Sequence, residues 1–185
     1  MLSKAIIWQE QPYISPAAWE KADLMDVKYR LAADGMWEAI NTVHGGLFPG
    51  IYRLHVLDEY GEFLPLPRLL DMEPDGIVYI GTSVAVPNRV GSLKKSVAAA
   101  YWQVDAQTYA RLPYRDAEAH QAGKKIVRIP RFVQRFPFER LCVTVERYTS
   151  EQEVLDVVAY GHTELEARLL LKYEAQYGEK PALNA

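Results

Sequence analysis

The period of polar and apolar positions changes several times along the chain, and each change marks an element. Ile51-Tyr52-Arg53-Leu54-His55-Val56-Leu57 alternates at period two, the pattern of a half-buried strand. Ile77-Val78-Tyr79-Ile80 and Leu141-Cys142-Val143-Thr144-Val145 are short β-branched and aromatic runs that predict two further strands. Residues 88–102, entered through Pro87, carry a helical pattern; so do residues 164–177, bounded by Thr163 and by Gly178 with Pro181. Ser150 with Glu153 predicts a short helix before that last one. Near the start, Ser15-Pro16 predicts a helix entry, followed by an intermittently amphipathic stretch over residues 17–36. Gly45-Gly46 and Pro49-Gly50 mark a turn, and Gly61, Pro65, Pro67 and Pro74 make residues 58–75 a loop. Residues 103–124 read as a helix fragment and loop, residues 126–132 as extended chain, and Pro137 as a break.

That order predicts an α+β fold in which a small, mainly antiparallel sheet is flanked by helices. The 185 residues suit one globular unit. Residues 1–49 would form an N-terminal helical extension packed on the core, and residues 50–185 the main domain. A composition of 49% hydrophobic and 24% charged residues is that of a soluble globular protein. No apolar run reaches the roughly 18 residues that span a bilayer, and the apolar start is too short for a signal peptide. The single cysteine, Cys142, lies in an apolar run and predicts a buried thiol. Together these features predict a cytoplasmic protein with no membrane partner.

Charge is distributed unevenly. Residues 1–88 and 141–185 carry net charges of −6 and −4, whereas residues 89–140 carry +7, from eleven basic and four acidic side chains. A basic middle segment on one face could neutralise several phosphates; dispersed by folding, it would be an ordinary solvated surface. The candidate contacts are Lys95, Lys124, Lys125, Arg128, Arg131 and Arg135, interleaved with Phe132, Phe136 and Phe138, which would either stack on bases or pack the segment on the core.

Other chemistries find no support. His44, His55 and His162 show no metal-ligand spacing with one another or with Cys142. There is no glycine loop of the Walker or dinucleotide type, and Ser83 and Ser96 lack a nucleophile-elbow context. Taken singly, Tyr52 and Tyr79 read as strand residues on a half-buried sheet. Thr163 and Glu166 form a capping box, which would turn the glutamate back on its own helix.

Four pieces in order, the first a pair of triplets, nevertheless make a composite. Gly50-Ile51-Tyr52 and Val78-Tyr79-Ile80-Gly81 are followed by Arg89, eight residues beyond Gly81 and inside a helix start. Near the end come the stretch from Glu164 to Tyr173 and then Pro181-Ala182-Leu183-Asn184. Over residues 50–184 this set resembles the GIY-YIG nuclease superfamily, its restriction-endonuclease-like branch more than its minimal repair-type domains. The resemblance implies a hydrolase, an endonuclease cutting DNA by a metal-assisted water. Tyr52 and Tyr79 would be the tyrosine pair, Arg89 the phosphate contact and Glu166 the ligand of Mg²⁺ or Mn²⁺, with Glu164 a second choice. Asn184 would support the active site or anchor a helix. DNA would be the partner, with RNA and a homodimer left open.

The chemistry fits those residue types. A cation held by one carboxylate polarises a phosphate, and an arginine offers a permanent charge on a planar donor fork. Tyrosines on neighbouring strands can orient the water. Three departures stand out. The tyrosines lie 27 residues apart instead of across a short turn, and the segment from Arg89 to Leu141 is longer than a minimal domain needs. The position four residues after the arginine, often His or Tyr, is Leu93. The general base is then open among Ser92, Lys94, His120 and Tyr79. His120, just before Lys124-Lys125, reads either as an exposed loop histidine or as a group that approaches the phosphate. The alternative functions are a catalytically inactive nucleic-acid-binding domain on the same fold, or a protein-interaction accessory domain.

Overall fold

A computed structural model of the chain describes residues 27–147 and 151–185, the side chains of 151–162 excepted. Within it the fold is α+β. The elements are β1 (Tyr29–Arg30), α1 (Met36–His44), β2 (Gly50–Val56), β3 (Leu66–Pro67), β4 (Met72–Glu73), β5 (Ile77–Ser83), α2 (Val86–Val104), α3 (Gln121–Arg128), α4 (Pro130–Arg135), β6 (Leu141–Arg147) and α5 (Glu151–Tyr177). Four strands form an antiparallel sheet in the order β1-β6-β2-β5; β3 and β4 make a separate small ribbon.

Strand period decides which face each side chain takes. In register, Tyr52 opposes Gly81 and Val145, and Leu54 opposes Tyr79 and Val143. That face is buried with Val86, Val90, Leu93 and Val97 of α2 in the main core. The other face carries Ile51, Arg53 and His55 opposite Glu146, Thr144 and Cys142. Ile51, Ile77 and Ile80 there meet Tyr173 and Tyr177 of α5. The glycines of the two triplets are demanded by close approach. A Cβ on Gly50 would strike the Glu146 carbonyl, and one on Gly81 would strike the Tyr52 ring.

Three expectations change and one is met. The predicted lead-in helix begins outside the described residues, but its end does not hold. Residues 29–30 pair with β6, and the helix starts at Met36, where the amphipathic stretch was expected to finish. Residues 27–49 therefore supply a strand, and Tyr29, Leu31, Met36, Ile40 and Phe48 enter the main core. Residues 126–132 are helical, not extended: Ile126 is buried on α3 and Phe132 on α4. Pro130 pushes Ile129 out of the helical region (φ −125°, ψ 69°), so the chain bends once and restarts. The two predicted C-terminal helices are one, Glu151–Tyr177, with no interruption at Thr163. Ser150 lies outside the described residues. The expectation that is met concerns the basic segment, whose phenylalanines pack it on the core. Val90, Leu93, Val97, Tyr101, Ile126, Phe132 and Phe138 from it are all in the main core. Stacking of bases on Phe132 or Phe138 is thereby excluded in this fold, and Phe136 is half-buried.

Candidate active site

The buried face of β2 and β5 brings three rings together. Tyr52 and Tyr79 stack with centroids 6.1 Å apart, and His120 meets both edge-on, at 5.9 and 5.2 Å. His120 is not an exposed loop residue. It is 2% exposed and stands at the N-cap of α3, where its Nδ1 accepts the Ala122 N–H at 3.2 Å. This bond fixes the tautomer: a neutral ring whose Nδ1 accepts must carry its proton on Nε2. The Nε2–H therefore donates to Tyr52 Oη, 2.9 Å away. Burial, aided by the nearby Arg89 charge, pushes the His120 pKa down to about 3, so the imidazole stays neutral.

Ser96, buried on α2, holds His120 in place. Its hydroxyl accepts the His120 main-chain N–H at 3.1 Å and donates to the Ala117 carbonyl. Ser96 lies seven residues after Arg89, hence on the same side of the helix. Ser96 has no nucleophile context in the sequence; its helical spacing from Arg89 is the legible clue.

Arg89 is half-buried in the first turns of α2, close enough to Tyr52 for its charge to act on the phenol. Burial raises the Tyr52 phenol to about 12, with Arg89 opposing that rise. Tyr79 is raised further, by burial and then by Tyr52 and Glu166. Tyr52, raised less than Tyr79, is the more acidic of the pair.

Glu166 projects from α5 to the end of β5, where its Oε2 accepts the Thr82 main-chain N–H at 3.3 Å. Thr163 is inside a continuous helix, so the capping box dissolves: its N–H is not one of the orphan donors of a helix start. Partial burial raises the Glu166 pKa, while the Thr82 N–H and the Arg89 charge pull it down. Glu164, exposed, pairs instead with Arg168 at 3.2 Å.

The remaining candidates sit apart. Asn184 clamps the outer edge of β5, its Oδ1 accepting the Ile80 N–H at 2.8 Å and its Nδ2 donating to the Ile80 carbonyl at 2.9 Å. Leu183 N–H adds a bond to the Val78 carbonyl, so the C-terminal segment serves the edge strand as a partner. Lys94 is turned to the Ala33 carbonyl, 2.6 Å from its Nζ. Ser92 is exposed and bonds back to the Asn88 carbonyl. Lys124 pairs with Glu118 at 3.3 Å, and Lys125 donates to the Ala185 main-chain oxygen. Lys95, Arg128, Arg131 and Arg135 are exposed on α2, α3 and α4, and Arg135 lines a small pocket with Val78 of β5.

Among the described residues, no group of three or more His, Cys, Asp or Glu side chains could hold a metal ion, and no helix is long and apolar enough to cross a membrane. Compared with known proteins, the chain matches no family model, no curated protein and no solved structure.

Proposed function

We propose that this chain is a metal-dependent endonuclease that hydrolyses DNA phosphodiesters in the manner of the GIY-YIG nucleases, in the cytoplasm. One observation carries the reading: His120 bonds the Tyr52 hydroxyl, Tyr79 stacks beside it, and the charges of Arg89 and Glu166 both act on that phenol, from four separate elements. A plain packing role for Tyr52 would not draw a guanidinium and a carboxylate to one phenol. Arg89, with its planar donor fork, is the group for the non-bridging phosphate oxygens.

Glu166 is a fitting ligand for Mg²⁺ or Mn²⁺. It is a hard oxygen donor, half desolvated, and a single carboxylate suffices for a cation that keeps several waters and takes substrate oxygens. When bound, such a cation polarises the phosphate and steadies the leaving oxygen. Tyr52 is wholly buried, so it forms the floor of the site beneath the phosphate held by Arg89. His120 does not serve as the base, because its Nδ1 lone pair is committed to Ala122 and its protonated form is strongly disfavoured. It is instead a positioning residue, whose Nε2–H fixes the Tyr52 oxygen. Leu93, wholly buried, leaves that place on α2 to packing.

Conversion of supercoiled plasmid to nicked or linear forms in Mg²⁺ is the test, with chelation as the control. Cleavage is expected to slow at least about a hundredfold in both Arg89→Ala and Glu166→Gln. Cleavage undiminished in both variants would overturn the proposal.

A further inference from the structure

The residues that separate Tyr52 from Tyr79 build the β3–β4 ribbon, and the turn of that ribbon meets the C-terminal end of α5. Arg68 makes three contacts there. Its Nη2 donates to the Ile77 carbonyl at 2.6 Å, its Nη1 lies 3.5 Å from Glu179, and its guanidinium stands 5.9 Å from the centre of the Tyr173 ring. The side chain is only 8% exposed. Leu70 N–H donates to the Tyr177 carbonyl at 3.1 Å, one of the carbonyls that a helix end leaves without an internal partner. Gly178 follows at φ +79°, and a Cβ on it would lie 2.6 Å from Leu70 Cγ. A cation at this end of α5 also matches the helix dipole.

What the clasp adds is direction. Glu166, Leu169, Leu170, Tyr173 and Tyr177 recur at i, i+3, i+4, i+7 and i+11, one face of α5. The two leucines and two tyrosines pack with Ile51, Ile77 and Ile80 of the sheet. Apolar contact is non-directional, so this seam alone leaves the helix free to slip or roll. A slip of one residue moves a side chain about 1.5 Å along the axis and turns it about 100°. A metal-binding carboxylate has to be held to within about 0.5 Å. The bond from Thr82 N–H to Glu166, at 3.3 Å, pins one point of the seam. The clasp pins a second point, about 16 Å further along the axis.

Resting on the nuclease reading, we propose that Arg68 is a positioning residue for Glu166. Through it the ribbon fixes the register of α5 on β5, and so places the carboxylate that would hold the cation.

Two readouts on the full chain test this. Amide hydrogen exchange at Thr82, followed by NMR without metal, reports where the Glu166 carboxylate stands. Arg68→Met keeps the stem beside Tyr173 but no donor, and is expected to speed that exchange about threefold to tenfold, the scale of one net hydrogen bond. Gly178→Ala, which displaces Leu70 from the helix end, should act in the same direction. Arg68→Lys keeps one donor for the Ile77 carbonyl and should recover part of the protection. Tyr101→Phe, which loses the buried bond to the Phe136 carbonyl, controls for stability alone and should move neither readout. In plasmid nicking, Arg68→Met is expected to raise the Mg²⁺ concentration for half-maximal rate about tenfold, with the rate at saturating Mg²⁺ nearly unchanged. A chain that is only destabilised would lose rate at every Mg²⁺ concentration. Thr82 exchange unchanged in both Arg68→Met and Gly178→Ala, or as fast in the wild type as in Glu166→Gln, would overturn the proposal. Faster exchange in the variants of a chain that cuts no plasmid keeps the clasp and removes the nuclease, whereas cleavage with exchange unmoved does the reverse.

Discussion

His55 and His120 are both almost sealed from solvent, and burial pushes both pKa values down to about 3. Their tautomers are opposite. His55 Nδ1–H donates to the Asp75 carbonyl at 2.8 Å, which leaves Nε2 to accept the Thr144 hydroxyl at 2.8 Å. His120 Nδ1 accepts a main-chain N–H, which leaves Nε2–H to donate to Tyr52. The surroundings differ as well. His55 stacks on Phe63 at 4.7 Å, beside the Arg53–Glu146 ion pair, in a network of neutral partners that closes on itself. His120 points into a cluster that continues to Arg89 and, through Tyr79, to Glu166. A shifted pKa thus marks burial in both; what differs is that the hydroxyl bonded to His120, that of Tyr52, is itself acted on by Arg89 and Glu166.

The largest expected effect tests what the two histidines share. Together with His44, whose pKa falls to about 4, they are neutral in the folded chain, whereas unfolded histidine titrates near 6.5. Between those values the unfolded state binds more protons, so stability is full above pH 6.5 and falls as pH drops towards 4. The slope is about 1.4 kcal/mol per pH unit for each histidine. The raised carboxyls of Glu73 and Glu166 act in the opposite sense, above their ordinary value of 4.5. Urea unfolding at pH 7, 6 and 5 checks the net sign; a chain no weaker at pH 5 than at pH 7 would contradict it.

Activity then tests the difference. Arg89→Ala is expected to slow plasmid nicking about 10²- to 10³-fold, the scale of losing one pre-set donor to a developing charge. It should leave Tm close to that of the wild type, since the side chain is half-exposed. His120→Asn comes next. Asparagine still caps α3 but does not extend to Tyr52, so kcat should fall about tenfold to a hundredfold, equivalent to one lost buried hydrogen bond. His55→Asn should instead leave kcat unchanged and lower stability by about 1–3 kcal/mol. Equal kcat losses in the two variants would dissolve the distinction between the faces. The smallest effect is Asn184→Ala. Removing its two bonds to the edge strand should lower stability by about 1–2 kcal/mol without changing kcat beyond that of a partly unfolded sample, as read by thermal melts.

Local pattern carried much of this architecture because strand period, proline and glycine act within a few residues. The strands β2, β5 and β6, the entry of α2 through Pro87 and the end of α5 before Gly178 all follow from that chemistry. So does the α+β class, and so do Tyr52, Tyr79, Arg89 and Glu166 as residues worth watching. Where local signals were weak, partners in space prevailed. Residues 29–30 became a strand because β6 offered an open edge, and Ile126-Val127, β-branched in sequence, became helical because Ile126 is buried against α2. The capping box at Thr163 is a sound local motif that a longer helix overrode.

The site itself divides the same way. Residue types near each triplet were readable, since phosphate chemistry needs a cation, a carboxylate and a water-orienting hydroxyl. Their convergence was not, because it joins residues 52, 89, 120 and 166, and chain entropy alone favours no such meeting. His120 shows this best: the sequence set a histidine before a basic helix, and only packing sealed it, fixed its tautomer through Ala122 and aimed its proton at Tyr52. The sequence determined which groups were available; burial and long-range hydrogen bonds decided which of them act together.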